Sequence, residues 1–416
     1  MLPFRELTKG VTMSGSVKGA LLFGALALAT AGLVACGDDD DGGDSSSGGG
    51  GSGEEATVTI KAVDFGADFS AMRKLKPLAE AGEGKIAVLL PDTETSARYE
   101  QFDRPYLARA FEAAGLSKDD YQIQNAQGSA STMQTQAEAA ITGGASVLLV
   151  DPLDSGSGAA IEKNAESKGV KVIDYDRLVK GGPEDRYYIS FDNVKVGEMI
   201  GDGFVECVDE WKVEEPNVLV MNGDPTDNNA LLFAEGYNGV LKPKFDDDSY
   251  VKVAEPAGTW TPSEAATTFT QQYTTNKNIN SAITPNDDNA NAVIAQLQSQ
   301  KIEPKTFPTT GQDASPVGLQ NILKGYQCGT VYKPIYLEAQ AAAAVALYLR
   351  AGQTPPEGLV NGETDDDGKK VKSVLMTPTW VTTENMADTV VKDRAVKVSE
   401  LCISEVEDAC SEAGIK

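Results

Sequence analysis

The chain has 416 residues, a formal net charge of -26 and no histidine. The length admits two lobes with sizeable cores, and the charge argues against nucleic acid or an anionic membrane surface as a partner. Without histidine there is no Ser-His-Asp or Cys-His triad, no His-based zinc site and no His general base, so an enzyme is less favoured, although catalysis by carboxylates remains possible.

The N-terminal region reads as an export and anchoring device. Met1 to Thr12 has no clear role, and Met13 is an alternative start that would leave Lys18 as the charged n-region. Gly19 to Ala35 is apolar and rich in Ala, Gly and Leu. It sits at the short limit of a membrane span, roughly 17 residues, and fits a signal-peptide h-region better. Leu33-Val34-Ala35-Cys36 resembles the bacterial lipobox, in which the cysteine is lipidated and becomes the mature N-terminus. The plainer alternative is an ordinary signal peptide with an incidental cysteine. Residues 1–35 are therefore expected to be a signal peptide and Cys36 a lipid-bearing residue. Gly37 to Gly53, GDDDDGGDSSSGGGGSG, cannot bury a core and reads as a tether. The rest of 36–83 is ambiguous: Thr57 to Val63 alternates like a strand, and Ser70 to Ala81 looks helical.

From Lys85 the pattern becomes regular. Strands are expected at Ile86 to Leu90, Tyr121 to Gln124, Ala145 to Val150, Val170 to Tyr175 and Tyr187 to Phe191. A polar loop, Pro91 to Arg98, is followed by a helix to about Ala114, and further helices are expected at Ser131 to Thr142 and Gly156 to Lys168. This β-α-β alternation implies a parallel sheet with right-handed crossovers. A second series follows the helix Val194 to Trp211. Its strands are Asn217 to Asn222, Ala282 to Pro285, Thr306 to Thr310 and Gly329 to Tyr332. Its helices are Leu231 to Leu241, Pro262 to Asn276, Ala290 to Ser299 and Pro316 to Lys324. Pro334 to Arg350 is a long Ala-rich helix.

Strands of a parallel sheet end where open α/β sheets bind ligands. Polar and aromatic side chains collect at those ends. The loop after the first strand carries Arg98 and Tyr99, and the YDR turn carries Asp176 and Arg177. The second series carries Asn228 and Asn229 in DPTDNNA, Trp260 in TWTPSEA, and Asn286 and Asp287 in TPNDDNA. Asp313 in GQDA and Lys333 in TVYKP complete the set. Taken singly these are ordinary: an Asp-Arg pair is usually a surface ion pair, Asn-rich loops are usually turns, and a Trp is more often core. Together they form one polar, aromatic cleft. Carboxylates, amides and guanidinia pair with hydroxyls, and Trp and Tyr rings stack on the apolar face of a pyranose.

If Cys36 is lipidated, Cys207, Cys328, Cys402 and Cys410 remain, an even number in an oxidising compartment. Three pairings are possible. Cys402 with Cys410 is favoured because the two are close and follow the last expected element; Cys207 with Cys328 would then be left. No spacing looks like a metal site, and no cofactor is expected.

The motifs YDR, YYISFDNVKVGE, DPTDNNALLFAEGYNGVLKP, WTPSEA, GQDA and TVYKPI occur in this order. From Lys85 to about Glu400 the chain resembles the periplasmic sugar-binding proteins of ABC importers, type I fold, and most closely the D-xylose-binding group. The resemblance implies an α/β fold of two Rossmann-like lobes with parallel sheets, joined by a hinge of three strand crossings near Asn193, Lys333 and Thr377. The N-lobe would comprise 84–193 plus 334–372, the C-lobe 194–332 plus 375–400, and 401–416 a C-terminal tail. It further implies a non-enzymatic, extracytoplasmic monomer, which the lipobox-like motif at Cys36 would anchor through lipid. Such a protein captures a monosaccharide, D-xylose or a related aldose, and delivers it to ABC permease subunits. The implied ligand set is Arg98, Tyr99, Asp176, Arg177, Asn229, Trp260, Asn286, Asp313 and Lys333. Tyr99 stands where the group has Trp, which leaves the exact sugar open. A sugar sensor feeding a membrane receptor is the alternative. A glycosidase using two of Asp176, Asp287 and Asp313, and a transcription regulator of the same fold, are less favoured. The regulator would need a basic DNA-binding head where the export signal stands.

Overall fold

The computed structural model describes residues 58–416 apart from Glu94 and Ala97. The expected signal peptide, Cys36 and the glycine-rich tether lie outside the described residues. Twelve strands are named here in chain order: β1 Lys85–Leu90, β2 Tyr121–Asn125, β3 Ala145–Val150, β4 Lys171–Tyr175, β5 Tyr187–Phe191, β6 Asn217–Val220, β7 Val251–Ala254, β8 Ser281–Ile283, β9 Thr330–Tyr332, β10 Gly362–Asp366, β11 Lys369–Met376 and β12 Thr379–Val381.

The first sheet runs β10-β11-β5-β4-β3-β1-β2. It is parallel except for β10, which pairs antiparallel with β11. Its central strands are buried on both faces, as a two-sided parallel sheet requires. One face, with Ile86, Val88, Val147, Leu149 and Ile173, packs toward the helix Ile335–Arg350. The other face, with Ala87, Leu89, Leu148 and Val150, packs toward Met133 and Ile161 of the helices Ala130–Thr142 and Ser155–Ser167.

The second sheet holds β7-β6-β8, all parallel. Its core contains Leu219, Met221, Phe269, Val293 and Leu297. β9 and β12 form a separate antiparallel pair. The strand expected at 306–310 does not join them into one ladder. Thr284 and Thr310 explain why. The Thr284 N–H donates to the Thr310 hydroxyl at 3.0 Å and the Thr310 N–H to the Thr284 hydroxyl at 3.2 Å. Threonine side chains thus take the backbone groups that a ladder would use.

The chain passes between the two bodies at three places. β5 runs into the helix Asn193–Glu210, β9 into Ile335–Arg350, and β11 into β12. The helix Asn193–Glu210 packs on Asn228–Asp246, with glycines at the contact: a Cβ on Gly197 would lie 2.1 Å from the Phe233 carbonyl oxygen.

Three expectations need correction. Leu375 and Met376 belong to the first sheet, opposite Ser190 and Phe191 in register, so the second lobe cannot resume at 375. Residues 58–63 do not form the strand that their alternation suggests, while the helical reading of 70–81 holds. Ile60, Phe65, Phe69, Met72, Leu75 and Leu78 are buried in the first core, and the helix Lys76–Ala81 starts with Pro77 in its first turn. Residues 401–416 are not a loose tail: Leu401, Val406, Cys410 and Ile415 close a core with Leu319, Ile322 and Tyr332. Disulfides join Cys207 to Cys328 and Cys402 to Cys410. Among the described residues no helix is long and apolar enough to cross a membrane, and no cluster of three or more potential metal ligands occurs.

Candidate functional site

Several helices begin directly after a strand, and their caps are polar side chains. Asp227 caps Asn228–Asp246 by accepting the Asn229 N–H at 2.9 Å, and Asn286 caps Asp287–Ser299 by accepting the Asn289 N–H at 2.9 Å. An N-cap needs a short oxygen-bearing side chain, and a strand-to-helix turn puts it at the carboxyl edge of the sheet. The same geometry therefore orders the helices and lines the space between the two bodies.

That space is one cleft. Its non-atom volume is about 310 Å³, part of it open to solvent. All nine expected ligand residues, Arg98, Tyr99, Asp176, Arg177, Asn229, Trp260, Asn286, Asp313 and Lys333, line it. Asn228 is buried in the first turn of its helix but does not line the cleft. Asp287 also lies outside it, held by neighbours behind the wall. Sequence reasoning missed Asp227, Phe233 and Gln312, which also line it. For Asp227 the signal was present: an Asp just before an Asn-Asn-Ala helix start is an N-cap signature.

Two arginines organise the first-lobe side. Arg98 is 3% exposed. Its Nε and Nη2 donate to the two oxygens of Asp103 at 2.9 and 2.7 Å, Nη2 also to Glu338 at 2.7 Å, and Nη1 to Asp176 at 2.8 Å. Bidentate pairing of this kind fixes a guanidinium in one plane. Arg177 donates through Nη2 to the Tyr99 hydroxyl at 2.8 Å and through Nη1 to the Pro152 carbonyl at 3.3 Å. Its Nε faces Asp227 at 3.3 Å and Asp151 at 3.7 Å. Asp176 takes a left-handed backbone, φ 59. Three groups hold that conformation by donating to its carbonyl oxygen: the Tyr188 and Ser190 hydroxyls at 2.9 and 2.8 Å and the Asn229 amide at 3.0 Å.

The second-lobe side supplies a ring and further polar groups. The Trp260 indole N–H donates to Asp227 at 3.0 Å, and its ring meets Phe233 edge-on, centroids 6.4 Å apart. Gly223 makes room for it: a Cβ there would lie 2.2 Å from the Trp260 ring. Lys333 lies 3.7 Å from both Asp176 and Asp313. Asp313 Oδ1 has no hydrogen-bond partner among the described residues.

Burial and neighbouring charge divide the carboxylates. Burial pushes Asp176 up, but Arg98, Lys333 and Arg177 outweigh it and hold the group below its ordinary range. Burial pushes Asp151 well up, helped by the Asp176 charge, and raises Asp227 against the pull of Arg177 and Asp313 against that of Lys333. Burial drives Glu338 up to about 8. The cleft thus sets carboxylates of unequal proton affinity beside fixed cationic donors and one large ring. That suits a compact ligand with hydroxyls on its rim and C–H bonds on its face.

Comparisons with known proteins agree with this reading. The family described as periplasmic binding protein domain matches residues 86–354. The D-xylose-binding periplasmic protein of Escherichia coli (strain K12) is 36% identical over 327 residues, covering 78% of this chain and 94% of that protein. The multiple sugar-binding periplasmic receptor ChvE of Rhizobium radiobacter is 28% identical over 344 residues, again 78% of this chain and 94% of that protein. A carbohydrate transporter solute binding protein from Chloroflexus aurantiacus, solved in complex with D-glucose, matches with a TM-score of 0.66 and 26% identity over 76% of this chain and 97% of that one.

Proposed function

This chain belongs to the periplasmic binding protein family, and from that premise we propose that it captures a monosaccharide, D-xylose or a closely related aldose, between its two lobes and delivers it to an ABC permease. We further propose that it works outside the cytoplasmic membrane as a monomer held by lipid on Cys36. The lobes are taken as residues 58–193 with 334–376 and residues 194–332 with 377–416. The observation that carries the reading is the convergence of nine side chains, from both lobes, on one cleft. The type I periplasmic-binding fold and the D-xylose-binding relative support it.

The closing contacts support capture by hinge bending. Arg177 reaches Asp227, and Asn229 reaches the Asp176 backbone, so groups of one lobe are completed by groups of the other. A ligand touching both sets stabilises the closed form over the open one. Enclosure also agrees with the size of the ligand. Micromolar binding is about -8 kcal/mol, or roughly -0.8 kcal/mol per heavy atom for a pentose of about ten. An open groove does not reach that figure. Catalysis is not part of the proposal. Asp287 stands outside the cleft, Asp176 is tied to Arg98, and Asp313 shares Lys333 with Asp176, so the cleft offers no free pair of carboxylates to act on a glycosidic bond.

One observation favours a wider sugar range: the relative named as a multiple sugar-binding receptor matches over the same share of the chain. Calorimetry with a panel of pentoses and hexoses separates the two readings. D-xylose or a single aldose binding at least tenfold tighter than the rest supports the narrow one. In the same assay Trp260→Ala should weaken the best sugar at least tenfold, since the ring and its bond to Asp227 go together. Parental affinity in that variant would put the ligand elsewhere.

A further inference from the structure

The loop that carries Asp313 has an unusual backbone. Asp313 has φ 96 and the next residue, Ala314, φ 51. Two successive side-chain-bearing residues in the left-handed region are disfavoured, and they persist only where the surroundings over-determine them. The surroundings here centre on Asp287. Its N–H donates to the Gln312 carbonyl at 2.9 Å, and its carboxylate accepts the Ser315 N–H at 2.7 Å. One residue thus clamps both ends of the turn. The Gln327 amide and the Thr330 hydroxyl donate to the other carboxylate oxygen, each at 2.9 Å.

Asp287 is 1% exposed and forms no ion pair among the described residues. A buried carboxylate without a cation is costly, and here burial drives it up to about 7. Two glycines leave it room. A Cβ on Gly311 would lie 2.1 Å from one carboxylate oxygen, and a Cβ on Gly318 2.3 Å from the other. Such a group is retained for what it holds in place. What it holds is the turn from which Asp313 faces the cleft, its Oδ1 3.7 Å from Lys333 and without a hydrogen bond among the described residues.

We propose that Asp287 is a positioning residue for ligand capture: it never touches the ligand, and it sets affinity by fixing the strained turn that aims Asp313 into the cleft. The proposal rests on the cleft reading given above.

The test is calorimetry of D-xylose on the full chain and its variants. Asp287→Ala should weaken binding at least tenfold, about as much as Asp313→Ala. Asp287→Asn should recover most of that loss, because its oxygen still accepts the Ser315 N–H and Gln327, whose own oxygen is unpartnered, can turn its amide. Adding Asp287→Ala to Asp313→Ala should cost less than a further twofold, since the carboxylate being aimed is already gone. Gly311→Ala is the second route: it pushes on the Asp287 oxygen and leaves the carboxylate in the sequence, and it too should cost at least tenfold. If Asp287→Ala fails to fold, Gly311→Ala and Asp287→Asn decide. Parental affinity in Asp287→Ala or Gly311→Ala, or losses that multiply in the double variant, would overturn the proposal while leaving the cleft reading intact. If instead the parent and Asp313→Ala bind D-xylose alike, the cleft reading fails and takes this proposal with it.

Discussion

Arg98 is the charge on which the first-lobe half of the cleft depends, and replacing it with Met should make stability depend on pH in a specific way. Three buried carboxylates, Asp103, Asp176 and Glu338, share its guanidinium. Removing one partner from a buried ion pair typically costs about 3–5 kcal/mol, because the other charge is left uncompensated. The sign of the pH effect follows from Asp176. In the parent it is held below its ordinary range, chiefly by Arg98 against burial, and stays ionised down to acid pH. In Arg98→Met the burial effect prevails and its folded-state affinity for a proton rises. A carboxylate raised in the folded state contributes stability at low pH that is lost as pH rises through its folded value. Glu338 already lies at about 8 in the parent, so it retains its proton in both forms near neutrality and adds little to the difference. One proton kept by the fold is worth about 1.4 kcal/mol per pH unit, so the effect is at most about 3.4 kcal/mol between about pH 5.5 and about pH 8, and less in so far as Lys333 and Arg177 still oppose it. Arg98→Met should therefore fall short of the parent by about 3–5 kcal/mol at the higher pH and by distinctly less at the lower one. Urea unfolding followed by tryptophan fluorescence without sugar measures both. The same deficit at the two pH values would refute the electrostatic account, and no deficit at all would refute the geometry.

The two disulfides differ in how much chain they tie. Cys207 and Cys328 are separated by 121 positions and Cys402 and Cys410 by 8. On the chain-entropy account they stabilise by about 5 and about 2.6 kcal/mol, so Cys207→Ser with Cys328→Ser should lower the urea midpoint more than the other double change; the reverse order would contradict the entropic argument. At the N-terminus, mass spectrometry of the mature protein should find lipid on Cys36, and Cys36→Ala should move the protein out of the membrane fraction. A single acyl chain holds weakly, so a stable anchor should show more than one.

The sheets were legible where strands are buried on both faces. Ile86 to Leu90 and Val147 to Val150 are unbroken apolar runs. Val251–Ala254 escaped because half of it is exposed at a sheet edge, where no burial pattern is imposed. The hairpin of β10 and β11 looks like a charged linker. Opposite charges face each other in register, Glu363 with Lys372, Asp365 with Lys370 and Asp366 with Lys369, but only Asp365 and Lys370 form an ion pair across the strands; Asp366 instead meets Arg186 and Lys369 meets Glu184. The signal for its turn stood in the sequence as Asp367-Gly368, and both residues take positive φ, 53 and 89. The cleft was legible as far as strand ends reveal it. Asp103 and Glu338 were not, since they sit within helical segments and meet Arg98 only through tertiary packing; Glu338 lies 240 positions away. The strain at Asp313 was hidden for the same reason, because a Gln-Asp-Ala sequence does not announce a left-handed turn.

The segment ahead of β1 has a mechanical consequence. Residues from Val58 onward are stitched to the first lobe alone: the Tyr348 hydroxyl donates to the Val58 carbonyl at 2.6 Å, the Ala62 N–H to Gly358 at 3.0 Å, and the Gln340 amide to Gly66 at 3.0 Å. Arg350 ties down the far end through the Ala79 carbonyl at 2.8 Å. If the chain is anchored through Cys36 and closes on its ligand as proposed, tension entering at Val58 is borne by the helix Ile335–Arg350 of the first lobe and not by the three connections between the lobes.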